Sequence, residues 1–582
     1  GGPLTYENYI EPRREAALRG DIFNPLIAFQ PITAGGELFD TDWNNLAPRL
    51  AAAWNPSPPG GLLNKLFGDR ETVLRGGFAV LYDRINTSEA VIIPLLGIGF
   101  SQTISLRAPA CNSGGAGGAG CVPGGAAPSS VFRVGVDGTL PVPARAAVSF
   151  PYVPGQPFGE TLSFQIDPNF EAGESYNFDL TLQRELPRGV VVEVGWIGRA
   201  GRRLPASVNF NSSPFFHVDP ASGQSFAEAF DAVAQSLRAG VPAAGLAAQP
   251  WFQNNVPGGT ARVIAGNESN FINGNVSNVF QSIDLARRAG GLTPFNNLQT
   301  QTAFVRTSLG RSNYHALVAV VRKRLSRGMT VDLNYTFSKS LDQSSALQNA
   351  TNAMQSAFFP DFDYGPSDFD RTHVFNGHFL YEIPDWPGTR RGGKLGVLTR
   401  GWSVSGIFRA ASGLPLVVSQ GVSPLGGGTS LVTLSGAIPT ADVGLIRTGV
   451  NQGVAGSNNI GTNGDPASGG SGVNLFADPE AAFNRFRRVL LSRDGRSGRA
   501  NPLRGFPSWN LDLSLGKTTR LGERARARFS LDFFNVFNHT VFSNPALDLT
   551  NPRGFGVVTQ QHVPTRRESS SRWIQTGLRV EF

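Results

Sequence analysis

Six histidines, His217, His315, His373, His378, His539 and His562, are the first residues to weigh for catalysis or metal binding. None stands in the two-histidine, one-glutamate spacing of a helical zinc site. His373 and His378 are five positions apart, which sets them on opposite faces of one strand and makes a surface or lumen role the simpler reading. The run GGAGGAG has the glycine content of a phosphate loop, but it lacks a preceding strand and a following Lys-Ser or Lys-Thr. ASGLP around Ser412 lacks the glycine before the serine that a nucleophile elbow requires. Catalysis is not indicated, and no catalytic, cofactor-binding or metal residue is assigned.

Three other groupings stand out, and the first two could contact a ligand. DFDYGPSDFD places Asp361, Asp363, Asp368 and Asp370 around Tyr364. Clustered carboxylates are hard oxygen ligands for a calcium ion, although the spacing is not that of an EF-hand and a solvated loop gives the same composition. Arg485, Arg487, Arg488, Arg493, Arg496 and Arg499 crowd one stretch. They could attract lipopolysaccharide phosphates or an anionic substrate through charge-assisted bonds, or simply form a solvated basic loop. No nucleic-acid recognition motif accompanies them, so nucleic acid is not expected as a partner. Cys111 and Cys121 lie ten positions apart in ACNSGGAGGAGCVPGG. The flanking glycines let the two ends meet, and a small loop disulfide suits an oxidising compartment; two unpaired thiols are the alternative.

The elements that position these groups are strands. The 582 residues include 70 Gly and 40 Pro, far more than a helical protein tolerates, and 41 Phe, which argues against disorder throughout. Charged residues make up 16% of the chain, against roughly 25% for an average soluble protein. No run approaches about 18 apolar residues, so no transmembrane helix is expected. Residue 1 is Gly and no signal segment follows it, so the chain reads as a fragment or a processed product.

Period-two alternation recurs along the length. Tyr176, Phe178, Leu180 and Leu182 oppose Asn177, Asp179, Thr181 and Gln183, and after a Pro-Arg-Gly turn Val190, Val192, Val194 and Trp196 follow. Met329, Val331, Leu333, Tyr335 and Phe337 oppose an entirely polar row. In the arm before them Tyr314, Ala316, Val318 and Val320 are taken as the apolar row, though His315, Leu317, Ala319 and Val321 are also largely apolar. Trp509, Leu511, Leu513 and Leu515 pair with a run in which Ala525, Ala527, Phe529, Leu531 and Phe533 oppose Arg524, Arg526, Arg528, Ser530 and Asp532. Further segments lie near 46–55, 72–83, 371–383 and 399–411, with a strand remnant at 4–9. About twelve strands result, long enough to cross a bilayer when tilted.

Their connections are unequal. Short turns such as LPRG, LSRG and TTRLGE alternate with long Gly-, Asn-, Ser- and Pro-rich stretches near 85–175, 201–299, 341–370, 412–507 and 536–571. Short turns at one end and long loops at the other are the pattern of an outer-membrane barrel, with apolar rows against lipid and polar rows toward a lumen. Asp332, Arg524, Arg526, Arg528 and Asp532 would then face the lumen. Lys339 falls on the apolar row by parity, and so belongs beyond the membrane-crossing part. In the last strand Ile574, Leu578, Val580 and Phe582 share one face, with Thr576 the polar interruption. An aromatic end on an amphipathic strand resembles the signal read by the barrel-assembly machinery.

NNLAPRLAAAWNP, TVLRGGFAVLYDR, SNYHALVAVVRKRLSRGMTVDLNYTFSKSLD, DFDRTHVFNGHFLYEIP, GWSVSGIFRAASGLP and RFSLDFFNVFNHTVFSNP follow one another from about residue 45 onward. Together they resemble TonB-dependent receptors of the Oar-like type, YTFSKSLD and FFNVFNH being the most specific. That resemblance implies a 22-stranded barrel, preceded by a plug and an N-terminal regulatory-like domain that this sequence does not show. Residues 1–582 would be the C-terminal part of the barrel, in the outer membrane of a Gram-negative bacterium. The plug of the whole receptor would meet an inner-membrane TonB complex, and an unidentified ligand would be transported. The fold expected is therefore all-β: an antiparallel transmembrane β-barrel with long extracellular loops. Two readings stay open beside it, a complete smaller plug-free porin and a secreted β-rich adhesin. A closed twelve-stranded cylinder would mark the porin, whereas an open sheet with two free edges would mark part of a larger barrel.

Overall fold

A computed structural model describes residues 3–30, 37, 39–84, 91, 93, 149–326, 328–345, 353–385, 394–422, 425, 438–439, 448–452, 458–494, 503–522, 525–562 and 570–582. Within them the alternating segments form β1 (Arg49–Trp54), β2 (Thr72–Tyr82), β3 (Glu160–Ile166), β4 (Glu174–Leu186), β5 (Val190–Asn209) and β6 (Thr300–Ser326). After these come β7 (Met329–Asp342), β8 (Gly365–Pro366), β9 (His373–Glu382) and β10 (Trp402–Ala411). Four short strands, β11 (Ile438–Pro439), β12 (Thr448–Gln452), β13 (Val473–Phe476) and β14 (Phe486–Arg487), pair as β11 with β14 and β12 with β13. The chain then closes with β15 (Ser508–Arg520), β16 (Arg526–Phe534) and β17 (Trp573–Glu581).

One 13-stranded sheet takes up most of these, in the order β1-β2-β4-β5-β6-β7-β9-β10-β15-β16-β17, with β3 beside β6 and β8 beside β7. Among the described residues eleven strands therefore make the wall, one fewer than the sequence suggests, because segment 4–9 is not a strand. It opens the helix Tyr6–Arg19, where Thr5 and Asn8 cap each other's backbone and Gly20 ends the helix in the left-handed region. A Cβ on Gly20 would lie 2.3 Å from Pro220 Cγ, so the stop is fixed by packing as well as by φ. The second departure is β3, which runs parallel to the start of β6 inside a stretch expected to be loop. All other strand pairs of the sheet are antiparallel.

The register joins the apolar rows into one surface. Trp54 faces Leu74, Leu74 faces Leu182, and Leu182 faces Val194; one step along, Leu180 faces Trp196 and Trp196 faces Leu317. Leu317 meets Phe337, and farther round Phe408 meets Leu511, Leu515 meets Leu531 and Phe529 meets Leu578. This surface points outward: Leu180, Trp196, Leu317, Phe337 and Leu578 are all exposed. In β6 the outward row is thus His315, Leu317, Ala319 and Val321, and the row taken as apolar turns in, with Ala316 and Val320 buried. Both rows of β6 are apolar, so alternation alone does not choose between them; the partners on β5 and β7 do.

The long connections are not featureless. Between β5 and β6 lie the helices Phe226–Arg238, Pro250–Asn255, Gly259–Ile264, Glu268–Asn273 and Val276–Ala289. They enclose a core of Phe226, Phe230, Trp251, Phe252, Phe271 and Phe280, all buried. A second core, around Tyr9, Val208, Phe210 and Val305, ties the Tyr6–Arg19 helix to the ends of β5 and β6. A third, around Leu475, Phe476 and Phe555, gathers the last two long loops. The long-loop end of the sheet is therefore a folded cap. At the opposite end the turns are short, and Gly328 holds φ +76 where a Cβ would lie 2.7 Å from Glu382 O. Among the described residues β1 and β17 each pair along one side only, so the sheet has two free edges.

Candidate functional site

Two surfaces carry polar chemistry: the inward face of the sheet and the cap above it. On the inward face charges pair with their neighbours. Arg322 Nε lies 3.3 Å from Asp332 Oδ2, with Glu193 at 4.0 Å, and Asn334 donates to Asp332 at 2.6 Å. Arg199 Nε donates to Asn177 Oδ1 at 2.8 Å, and Ser530 Oγ to Asp532 at 3.1 Å. Exposed pairs of this kind contribute about 0–1 kcal/mol each, so the row is a wet, hydrogen-bonding wall more than a source of stability. His378 sits on this face opposite Asp332, while His373 lies on the outward face, where its Nδ1 is 2.8 Å from Tyr335 Oη.

The cap is organised around buried polar groups. Arg13, on the Tyr6–Arg19 helix, is buried; it donates to Phe210 O and, at 3.2, 3.3 and 3.2 Å, to Ser212 O, Phe295 O and Asn296 Oδ1. Asp284 is fully buried and accepts from the Phe295 N–H at 2.6 Å and the Asn296 N–H at 3.2 Å. Burial pushes its carboxyl up to about 7, against the pull of those bonds and of Arg287 and Arg13. His217 takes the Trp251 indole N–H on Nδ1 at 3.2 Å, and burial pushes its imidazole down to about 4.

These two groups oppose each other in pH. Asp284 keeps a proton that the unfolded carboxyl, near 3.9, has lost, so its contribution falls as pH rises from about 4 to 7. His217 stays neutral where the unfolded imidazole, near 6.5, is charged, so its contribution falls as pH drops from about 6.5 to 4. Asp231, also raised by burial, adds to the Asp284 sense. We expect Asp284→Asn to lower cap stability at about pH 5 relative to pH 7, compared with the parent, and His217→Gln to tilt the profile the other way. Thermal melts followed by cap tryptophan fluorescence across that range check both.

Two hollows open in the cap. A cavity of about 200 Å³ beside Asp284 is lined by the carboxamides of Asn209, Asn278, Gln281, Asn296 and Gln301. A larger cleft, about 770 Å³, runs between the Tyr6–Arg19 helix and the sheet, and carries Glu7, Asp40, Asp42, Asp167 and Glu171 together with Trp43. Asp167 caps the helix by accepting the Tyr6 N–H at 2.8 Å, and Glu171 pairs with Arg203 at 2.7 Å. Neither set is contiguous in sequence, so no local pattern marks it; the helix that the alternation reads as strand lines the cleft, and the helix Val276–Ala289 lines the cavity.

The residues that spacing singles out fall as follows. Asp361 pairs with Arg311 at 2.9 Å. Asp363 is buried and accepts from the Gln355 backbone and side chain at 2.9 and 2.7 Å. Asp370 is buried and takes Arg504, the Lys339 amine at 3.4 Å and the Ser340 N–H. Asp368 is exposed, its N–H bonded to Ser345 Oγ at 2.9 Å. The carboxylates thus turn to separate partners, and among the described residues no group of three or more His, Cys, Asp or Glu could hold a metal ion. Lys339 reaches its buried partner at the cap end of β7, beyond the middle of the wall. Arg487 forms a two-pronged pair with Asp494 at 2.6 and 3.0 Å, and Arg488 donates to Asn273 O and Gln420 O. Arg487 thus braces its own loop and Arg488 ties that loop to the helical cap; Arg496 and Arg499 lie outside the described residues, as do Cys111 and Cys121. Ile574, Leu578 and Val580 are exposed on the outward face of β17, and Phe582 follows it, 98% exposed.

Among the described residues no helix is long and apolar enough to cross a membrane. Residues 6–575 match the model of the outer membrane beta barrel domain. The chain belongs to the outer-membrane β-barrel family. Its place is the outer membrane of a Gram-negative bacterium, and the outward apolar surface is its lipid-facing wall. A search of curated proteins finds no match. Similar solved structures include the outer membrane transporter YddB from Escherichia coli, at 9% identity and TM-score 0.37, covering 92% of this chain and 40% of that one. Another is the pyoverdine outer membrane receptor FpvA from Pseudomonas aeruginosa PAO1, at 8% identity and TM-score 0.32, covering 92% and 36%. A ferric enterobactin receptor (PfeA) mutant from Pseudomonas aeruginosa stands at 9% and 0.33, covering 92% and 40%. The chain spans about two-fifths of the length of these proteins.

Proposed function

We propose that this barrel chain is the C-terminal portion of an Oar-like TonB-dependent transporter. The observation that carries the reading is the open sheet: a lipid-facing wall with a polar inner face and two free edges needs further strands to enclose a lumen. A plug and a TonB complex belong to the same proposal, as does recognition of β17 and its aromatic end by the barrel-assembly machinery. The ligand would be gathered by the cap, whose carboxamide cavity and acidic cleft offer polar walls on a rigid scaffold.

The test does not require the ligand in advance. The gene is deleted in one strain and TonB is inactivated in another, and solutes left in the medium are compared by mass spectrometry. The same solutes should remain undepleted in both strains. Their continued uptake without TonB, alongside loss in the deletion strain, would reject energised transport in favour of passive diffusion through a pore.

A further inference from the structure

The short-turn end carries two helices that belong to neither the wall nor the lumen. One, Gly61–Phe67, lies between β1 and β2, and the other, Lys394–Thr399, between β9 and β10. Both lean on the outward face. The Phe67 ring meets Trp54 edge-to-face at 5.6 Å, and Trp54 is the last outward residue of β1. Trp402, on the outward row of β10, donates its indole N–H to Leu398 O at 2.7 Å. Lys517, its partner across the register, lies 5.2 Å from the Trp402 ring centre and donates to Arg400 O.

Helices of seven and six residues do not hold themselves together in water, and these point their aliphatic side chains away from the protein. Leu62 is 81% exposed, Leu63 57%, Val397 48% and Leu398 66%. These side chains continue the lipid-facing wall past the ends of the strands, which names their occupant. Charge agrees with it: Lys65 is exposed beside the leucine pair, and Arg400, paired with Asp385 at 3.3 Å, follows the second helix. In barrels of this kind the short turns face the periplasm. An aliphatic pair beside basic residues is the pattern of a segment lying in the headgroup layer.

We propose that the two turn helices are membrane anchors of the periplasmic leaflet. Leu62, Leu63, Val397 and Leu398 sit among the acyl chains, and Lys65 lies at the level of the headgroups. The anchors act whichever ligand the cap accepts.

The experiment places a fluorophore on Leu63→Cys or Leu398→Cys, in a chain with Cys111→Ser and Cys121→Ser, folded into vesicles containing acyl-brominated phosphatidylcholine. Leu180→Cys in the middle of the wall is the positive control for insertion, and Ser222→Cys in the cap is the aqueous control. Quenching at positions 63 and 398 should approach that at 180. Quenching at 180 with both helix positions as unquenched as 222 would overturn the anchors while leaving the wall intact.

Discussion

Leu180→Arg combined with Leu317→Arg is expected to prevent folding of this chain into vesicles. The two leucines flank Trp196 in one cross-strand row and both face outward, where each is exposed. An arginine facing lipid near the bilayer midplane costs about 2–4 kcal/mol, so the pair would remove about 4–8 kcal/mol, comparable with the whole stability of a typical domain. Each single variant should lower the folded fraction measurably. The control is Gln183→Arg, on the inward face of the same strand and opposite Glu193, where a guanidinium meets water and a carboxylate. It should fold as the parent does. Protease protection after refolding into vesicles reports the folded fraction, and normal protection of the double variant would mean that this face does not meet hydrocarbon.

Arg13→Met is expected to release the N-terminal helix from the cap, at a cost of about 3–5 kcal/mol. The guanidinium satisfies three carbonyls and one carboxamide in a region closed to water, and it stands near the buried Asp284. Methionine fills much of the space but leaves those acceptors without donors, each unmade bond costing about 1–3 kcal/mol. Arg13→Lys should recover only part, because a single ammonium cannot span four acceptors held in a fork geometry. Hydrogen exchange resolved by segment separates this local effect from general unfolding. Protection should fall across Tyr6–Arg19 and the strand ends around Phe210, while β15 and β16 keep theirs. Unchanged protection of the helix would show that its docking rests on Tyr9 and Ile10 instead.

What was legible before any tertiary structure follows from which faces differ. In β7, β15 and β16 one row is apolar and the other polar, because one meets lipid and the other water, and the alternation gives their faces directly. β6 defeats the same reasoning. Its inward row packs against the wall's interior and its outward row meets lipid, so both are apolar and parity carries no sign. Segment 4–9 fails for another cause: Thr5 and Asn8 make a capping box that a short alternating run disguises, and Pro12 inside the helix reads as a breaker. Three of the cap helices are six residues long and hide among Asn, Gly and Ser, whereas Phe226–Arg238 and Val276–Ala289 are 13 and 14 residues long, and the Ser225–Glu228 capping box was a local signal for the first.

The candidate sites divide in the same way. The aspartates of DFDYGPSDFD stand together in sequence, yet folding sends Asp361, Asp363 and Asp370 to Arg311, Gln355 and Arg504 respectively. The acidic cleft and the carboxamide cavity are each assembled from separate segments of the chain.

By itself the sequence determined the class of this protein: a strand-built membrane wall with short turns at one end and long connections at the other. Side-chain alternation is a local consequence of the pleat and of two unlike solvents, so neighbouring residues suffice to record it. Only the tertiary structure decided which row of β6 faces lipid, that the long connections fold into a cored cap, and which carboxylates share a cleft. Those outcomes depend on pairing register and on contacts between distant segments, and no local window of residues contains them.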